Sequence, residues 1–96
     1  MVRHIVFMKF PDFSLAKSAK EKLLSMKEQI KELKEIEVGI DFSRSERSFD
    51  LALVTTFETK DDLESYRIHP YHQQIVKWLK ENNTQTKVVD YELDPS

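Results

Sequence analysis

The chain has 96 residues, which is enough for one small domain and too few for a second domain with a core of its own. Aliphatic and aromatic residues make up 40% of the sequence and charged residues 33%, a balance typical of a globular domain rather than a disordered or membrane-embedded chain. The formal net charge is -2 and no basic run is interleaved with aromatic residues, so the charge pattern favours neither nucleic acid nor a membrane surface as a partner.

The first strand is predicted over residues 3–10, RHIVFMKF. Alternation places one set of side chains on one face (His4, Val6, Met8, Phe10) and Ile5 and Phe7 on the other. A break follows, with Ser14 as a predicted N-cap. Beyond it, apolar residues at steps of three and four predict one long amphipathic helix: Leu15, Ala19, Leu23, Met26, Ile30 and Leu33.

The middle of the sequence predicts two more strands. Residues 36–42 alternate between apolar and polar side chains, which is typical of a strand near a sheet edge. A polar connector, SRSERS, spans residues 43–48, and FDLALVTTFE at 49–58 is apolar on both faces. This third strand should therefore lie at the centre of the sheet.

The last third predicts a broken helix and a final strand. Thr59, with Asp62 three residues later, resembles a capping box, and Pro70 must interrupt the helix that follows. The helix should resume at Pro70, which is well suited to a first turn. Lys87 to Leu93 then reads as a strand with Val88 and Asp90 on one face and Val89, Tyr91 and Leu93 on the other.

This order of elements predicts a single domain over residues 1–96 with a ferredoxin-like α+β fold, βαββαβ. Strands one and three should lie at the centre of an antiparallel sheet, with both helices on one face. Because the two central strands are apolar on both sides, a second copy of the same sheet is the simplest cover for the other face, and we expect a homodimer. The alternative is a patch that recruits a different protein.

The segment YRIHPYHQQ, residues 66–74, holds the candidate chemistry. The spacing of His72, Ile75, Val76 and Leu79 predicts one inward-facing stripe, and a histidine on such a stripe is more often a core residue than a catalytic one. In a first helical turn, however, His72 should stay neutral and basic. Asp90 is its predicted partner and Tyr66 a candidate acid or oxyanion donor, whereas a purely structural role remains the alternative for both.

Other polar residues give weaker signals. His4 interrupts the apolar face of the first strand, and His69 is predicted to cap the helix that begins at Pro70. We expect no metal site from His69, His72 and Asp90, because residue 69 lies outside the helix. No cofactor is expected, since the only glycine is Gly39 and no phosphate loop is present. The absence of cysteine and of a signal-peptide pattern leads us to expect a cytoplasmic protein.

Three segments, RHIVFMKF, FDLALVTTFE and YRIHPYHQQIV, resemble the stress-responsive A/B barrel domain family over essentially the whole chain. The resemblance implies a dimeric α+β barrel. In olivetolic acid cyclase, a plant polyketide cyclase of that family, the matching positions imply His72 as base, Tyr66 as tyrosine, Asp90 as orienting acid and His4 as a cavity histidine. Leu51 and Met26 stand where the cyclase has a histidine and a tyrosine, which implies a more apolar wall, and His69 is kept as a further ligand contact.

Two functions from different classes follow. In the first, the protein is a cofactor-independent cyclase, isomerase or lyase acting on a small apolar carbonyl or phenolic compound, with His72 as the base. In the second, it is a non-catalytic stress-related or ligand-binding homodimer whose polar cluster ties the second helix to the last strand. A pocket of about 300 Å³ or more that reaches His72 would favour a ligand.

Overall fold

The computed structural model describes residues 1–94. Its strands are β1 (Val2–Lys9), β2 (Glu35–Ile40), β3 (Leu51–Phe57) and β4 (Gln85–Glu92), and its helices are α1 (Leu15–Leu24), α2 (Met26–Gln29), α3 (Lys60–Ile68) and α4 (Pro70–Glu81). All strand pairs are antiparallel in the order β2-β3-β1-β4. This is the predicted ferredoxin-like α+β fold, with the first and third strands at the centre of the sheet.

The period-two pattern of β1 explains how the sheet meets the helices. The even-numbered side chains from Val2 to Met8 are buried beneath the helices, whereas Phe7 remains exposed on the opposite face. Helix α1 packs mainly on β2, and α3 packs on β1 and β3. We call the surface opposite the helices, which carries the odd-numbered residues of β1 and β4, the open face.

The first helix is shorter than its apolar spacing predicted. Helix α1 ends at Leu24, a short α2 ends at Gln29, and Ile30 already has an extended backbone with φ −121° and ψ 104°. Ile30 and Leu33 are nevertheless buried, because the turn carries them back into the core. Ser14 occupies the N-cap position without a capping bond from its side chain, and its own N–H donates to Asp12 Oδ1 instead.

The second helical stretch is broken where the sequence predicted. Thr59 Oγ1 accepts from Asp62 N at the start of α3. His69 takes an extended backbone, φ −63° and ψ 132°, as expected of a residue before proline, and its Nδ1 accepts from Tyr71 N. The predicted cap by His69 is confirmed. No helix formed by the described residues is long and apolar enough to cross a membrane.

Candidate functional site

A cavity of about 260 Å³ lies between α4 and the β1–β4 side of the sheet. Its volume is just below that of typical small-ligand pockets, which begin at about 300 Å³. The predicted stripe of α4 forms one wall, and β1, β3 and β4 supply much of the other. The lining residues, apart from three at the far end described below, are His4, Val6, Met8, Leu23, Leu53, Tyr66, His72, Ile75, Val76, Leu79 and Val88.

Tyr66 is the most deeply buried polar group of the cavity. Its side chain is 0% exposed, and its hydroxyl has no hydrogen-bond partner among residues 1–94. Burial raises the pKa of the Tyr66 phenol well above its ordinary value, so the group stays protonated at neutral pH. A buried hydroxyl without a partner is costly for the fold, and this one is therefore an available donor for a bound ligand.

The interruption at Pro70 sets the protonation of His72. In an unbroken helix the N–H of Tyr71 would donate to the Arg67 carbonyl, but here it donates to His69 Nδ1. That carbonyl instead lies 3.1 Å from His72 Nδ1 and accepts from Gln73 at 2.8 Å. A carbonyl oxygen only accepts, so Nδ1 of His72 must carry the proton and Nε2 is left unprotonated.

His72 is held in the neutral form by its surroundings. Burial lowers its pKa most, and the hydrogen bond to the Arg67 carbonyl raises it by less. Nearby positive charge, that of His4 first, lowers the pKa further. Its ring lies 4.3 Å from the ring of Tyr66, measured between centroids. The two side chains thus place an unprotonated nitrogen and a protonated phenol side by side in the cavity wall.

The sequence interpretation paired Asp90 with His72, but the structure does not bring these two side chains together. The strand register places it directly opposite His4, and its Oδ1 accepts from His4 Nδ1. Its second oxygen accepts from Arg67 Nη2 at 3.0 Å. We call these three residues the His4 cluster; it joins β1, β4 and α3 beside the cavity.

Three other candidate contacts lie away from the cavity. Met26, in α2, and Leu51, in β3, are almost fully buried in the core, and His69 serves as the helix cap. None of these three residues lines the cavity. Among residues 1–94, no group of three or more histidine or acidic side chains is placed to hold a metal ion.

Sequence reasoning missed three polar lining residues, Lys80, Thr84 and Thr86. A signal for two of them was present. Lys80 lies four residues after Val76 and continues the same helical face. Thr86 lies two and four residues before Val88 and Asp90, on the same face of β4. Thr84 lies in the connector, where no periodicity applies.

The sequence profile of the stress responsive A/B barrel domain matches residues 2–93. The chain belongs to this family. No protein among the curated sequences is significantly similar to it.

Solved structures show the same fold. A protein from Bacteroides fragilis, described as dimeric, ferredoxin-like and of unknown function, is 32% identical with a TM-score of 0.83, over 96% of this chain and 95% of that one. A dimeric ferredoxin-like protein of unknown function from Thermobifida fusca is 22% identical, with a TM-score of 0.82 over 96% and 90%. The hydroxynitrile lyase of Passiflora edulis is 20% identical, with a TM-score of 0.84 over 99% and 94%. The last two likenesses concern the fold alone.

Proposed function

We propose that this protein is an enzyme that removes a proton next to the carbonyl group of a small apolar compound, using its own side chains as base and acid. The observation that carries the proposal is the pairing of His72, whose Nε2 is unprotonated, with the protonated phenol of Tyr66 in one cavity wall. A neutral imidazole is a base of suitable strength near neutral pH, and a buried phenol is a suitable donor to an enolate oxygen.

The chemistry follows from these two groups. His72 Nε2 takes the proton from the carbon beside the carbonyl, the electron pair of the broken C–H bond moves to the carbonyl oxygen, and Tyr66 donates a hydrogen bond to that oxygen. The enolate then takes the proton back at a carbon, or its carbon attacks a second carbonyl of the same molecule. In the second case a new C–C bond closes a ring, and the alkoxide formed from the second carbonyl takes the proton from His72. Each of the three proposed classes, isomerases, lyases and cyclases, includes enzymes that use such an intermediate.

The His4 cluster has a positioning role in this proposal. Asp90 accepts from Nδ1 of His4, so that the other ring nitrogen is free to contact a ligand. Arg67 fixes Asp90 and, through its own carbonyl, also fixes His72. One residue thus couples the orientation of both cavity histidines.

Deuterium exchange into phenylacetone, followed by proton NMR in D₂O, tests the proposal without knowledge of the natural substrate. We expect the wild type to accelerate loss of the α-proton signal, and His72→Gln to lower that acceleration by about 10²-fold or more. The matched control is His69→Asn, which changes a histidine outside the cavity and keeps an N-cap acceptor. Equal exchange by the wild type and His72→Gln would exclude His72 as the base.

A non-catalytic role is the second candidate, and the His4 cluster is the observation that favours it. Asp90 ties α3 to β1 through Arg67 and His4, which is a structural link of the kind expected for a binding protein. In that case the wild type would bind phenylacetone but leave its α-protons unexchanged.

We also propose that the protein is a homodimer formed through the open face. The side chains of Phe7 and Val89 are 47% and 61% exposed there, and the half-exposed Tyr91 lies next to them. Arg3 Nε, on the same face, is buried without a hydrogen-bond partner among the described residues. A monomer with so much apolar surface on one sheet is unusual, and the 32% identical Bacteroides fragilis protein is described as dimeric.

The charges around the open face fit a two-fold contact. The β2 edge presents Glu35 and Glu37, whereas Lys87 lies on the β4 edge. In a two-fold dimer whose axis runs along the strands, the β2 edge of one protomer faces the β4 edge of the other, so that acidic and basic rims meet around an apolar centre.

A further inference from the structure

The cavity has a second polar end that the proposed proton transfer does not use. Lys80, in the last turn of α4, lines this end together with Thr84 and Thr86. The hydroxyl of Thr84 is buried and has no hydrogen-bond partner within residues 1–94. Lys80 forms no salt bridge in that part of the chain, although the described surface holds several other ion pairs. These donors are therefore available to a ligand.

The two polar ends lie far enough apart to bind different parts of one molecule. Eight residues separate His72 from Lys80 on α4, which corresponds to about 12 Å along the helix. On the opposite wall, His4 pairs with Asp90 and Met8 pairs with Thr86, so that about 14 Å of strand separates the same two ends. Apolar side chains line the cavity between the two polar ends: Val6, Leu23, Leu53, Ile75 and Val88.

The chemistry of the second end selects the kind of group it binds. An ammonium group and hydroxyl donors favour an anion. A dianionic phosphate is disfavoured, because the end of α4 carries the negative pole of the helix dipole and Glu81 follows Lys80 directly. One lysine beside two threonines is instead suited to a single carboxylate.

We propose that the cavity binds an oxo-carboxylate: a molecule with a ketone at the His72 and Tyr66 end, an apolar chain of medium length, and a carboxylate at Lys80. This inference rests on the proposed function, since the ketone end is the group on which His72 acts. It adds the substrate class, and it assigns Lys80 and Thr84 as the residues that select the charged end.

The test compares two probes of the same shape, 7-oxooctanoate and 7-oxooctanamide, by isothermal titration calorimetry. We expect the wild type to bind the carboxylate about tenfold more tightly than the amide. Lys80→Gln should bind both probes with equal affinity. Lys77→Gln, which removes an exposed lysine from the same helix outside this cavity, should keep the full preference. Added salt should weaken the preference of the wild type.

Equal affinity of the wild type for the two probes, or a preference that survives in Lys80→Gln, would overturn the inference. The proposed proton abstraction would stand in either case, because phenylacetone is neutral and its exchange does not depend on Lys80. Failure of both probes to bind would overturn the inference, and loss of phenylacetone exchange as well would overturn the proposed function with it.

Discussion

The two edge strands of the sheet, β2 and β4, both carry alternating apolar side chains, but the rest of the chain packs against them differently. Helix α1 lies over β2, where Val38 is buried and Ile36 and Ile40 pack against the core. All eight residues of β4 are exposed, including the large apolar side chains of Val88, Val89 and Tyr91. The β2 edge is thus completed by its own helix, whereas the β4 edge leaves apolar surface toward the cavity on one side and the open face on the other. Ligand and partner are both expected at the edge that the protomer leaves unfinished.

The sharpest way to break this comparison is to charge the open face. Phe7→Asp places a carboxylate where the dimer would bury it, which costs several kcal/mol by order of magnitude. We expect sedimentation velocity to show a monomer for Phe7→Asp and a dimer for the wild type.

Ile68→Asp is the control for this experiment, because Ile68 is exposed at the end of α3, away from the open face. It should remain dimeric. A wild type that sediments as a monomer at high concentration would remove the second copy from the proposal and leave the open face for a different partner.

The next prediction compares a filled part of the core with the wall of the cavity, by making the same substitution at one isoleucine in each. Ile30, 0% exposed, is fully enclosed in the core, whereas Ile75 lines the cavity. Ile30→Ala should lower the free energy of unfolding by roughly 2–5 kcal/mol, and Ile75→Ala by about half as much, because its side chain borders empty space and loses fewer contacts. Urea denaturation measures both. Equal losses would show that the cavity closes in solution.

The strands and the first helix show how much of the fold could be predicted from the sequence. Alternation assigned the faces of β1 and β4 correctly, because a strand in a half-buried sheet has only two faces to choose between. The apolar spacing of the first helix continued through Ile30 and Leu33, but the helix ended at Gln29. Burial was predicted correctly at both positions and conformation was not, since a turn that carries two side chains back to the core satisfies the same pattern.

The site was predictable to a similar degree. The stripe of His72, Ile75, Val76 and Leu79 does line one cavity, and the break at Pro70 follows from local chemistry alone. The partner of Asp90 depended on the register between β1 and β4, which pairs strands about eighty residues apart in sequence. No local pattern encodes that alignment, so Asp90 was assigned to the wrong histidine.

Substitution of Tyr66 should affect stability and activity in different ways. Tyr66→Phe removes a buried hydroxyl that has no partner among the described residues, so the free energy of unfolding should stay the same or rise by about 1 kcal/mol. The same change should lower phenylacetone exchange by about 10²-fold, because the enolate loses its donor. Thermal or urea unfolding and the NMR exchange assay give the two values. A large loss of stability without a change in exchange would assign the hydroxyl to the fold.

The smallest effect we expect is a pH dependence that belongs to His72. Burial lowers the pKa of His72 in the folded state, whereas a histidine in the unfolded chain has a pKa of about 6.5. Below that pH the unfolded chain binds more protons at this position than the folded protein, so stability is present above about pH 6.5 and is lost as the pH falls through the lowered folded pKa. Urea unfolding from about pH 7 down to about pH 5 should therefore show a steeper decline for the wild type than for His72→Gln, with His69→Asn following the wild type. The acid limb of phenylacetone exchange should have its midpoint below about pH 6.5 for the same reason, because only the neutral imidazole accepts a proton. If the stability of the wild type and of His72→Gln changed with pH in the same way, the cavity would have to admit enough water to solvate the imidazolium. The β4 edge would then be more open to water than the burial of His72 indicates.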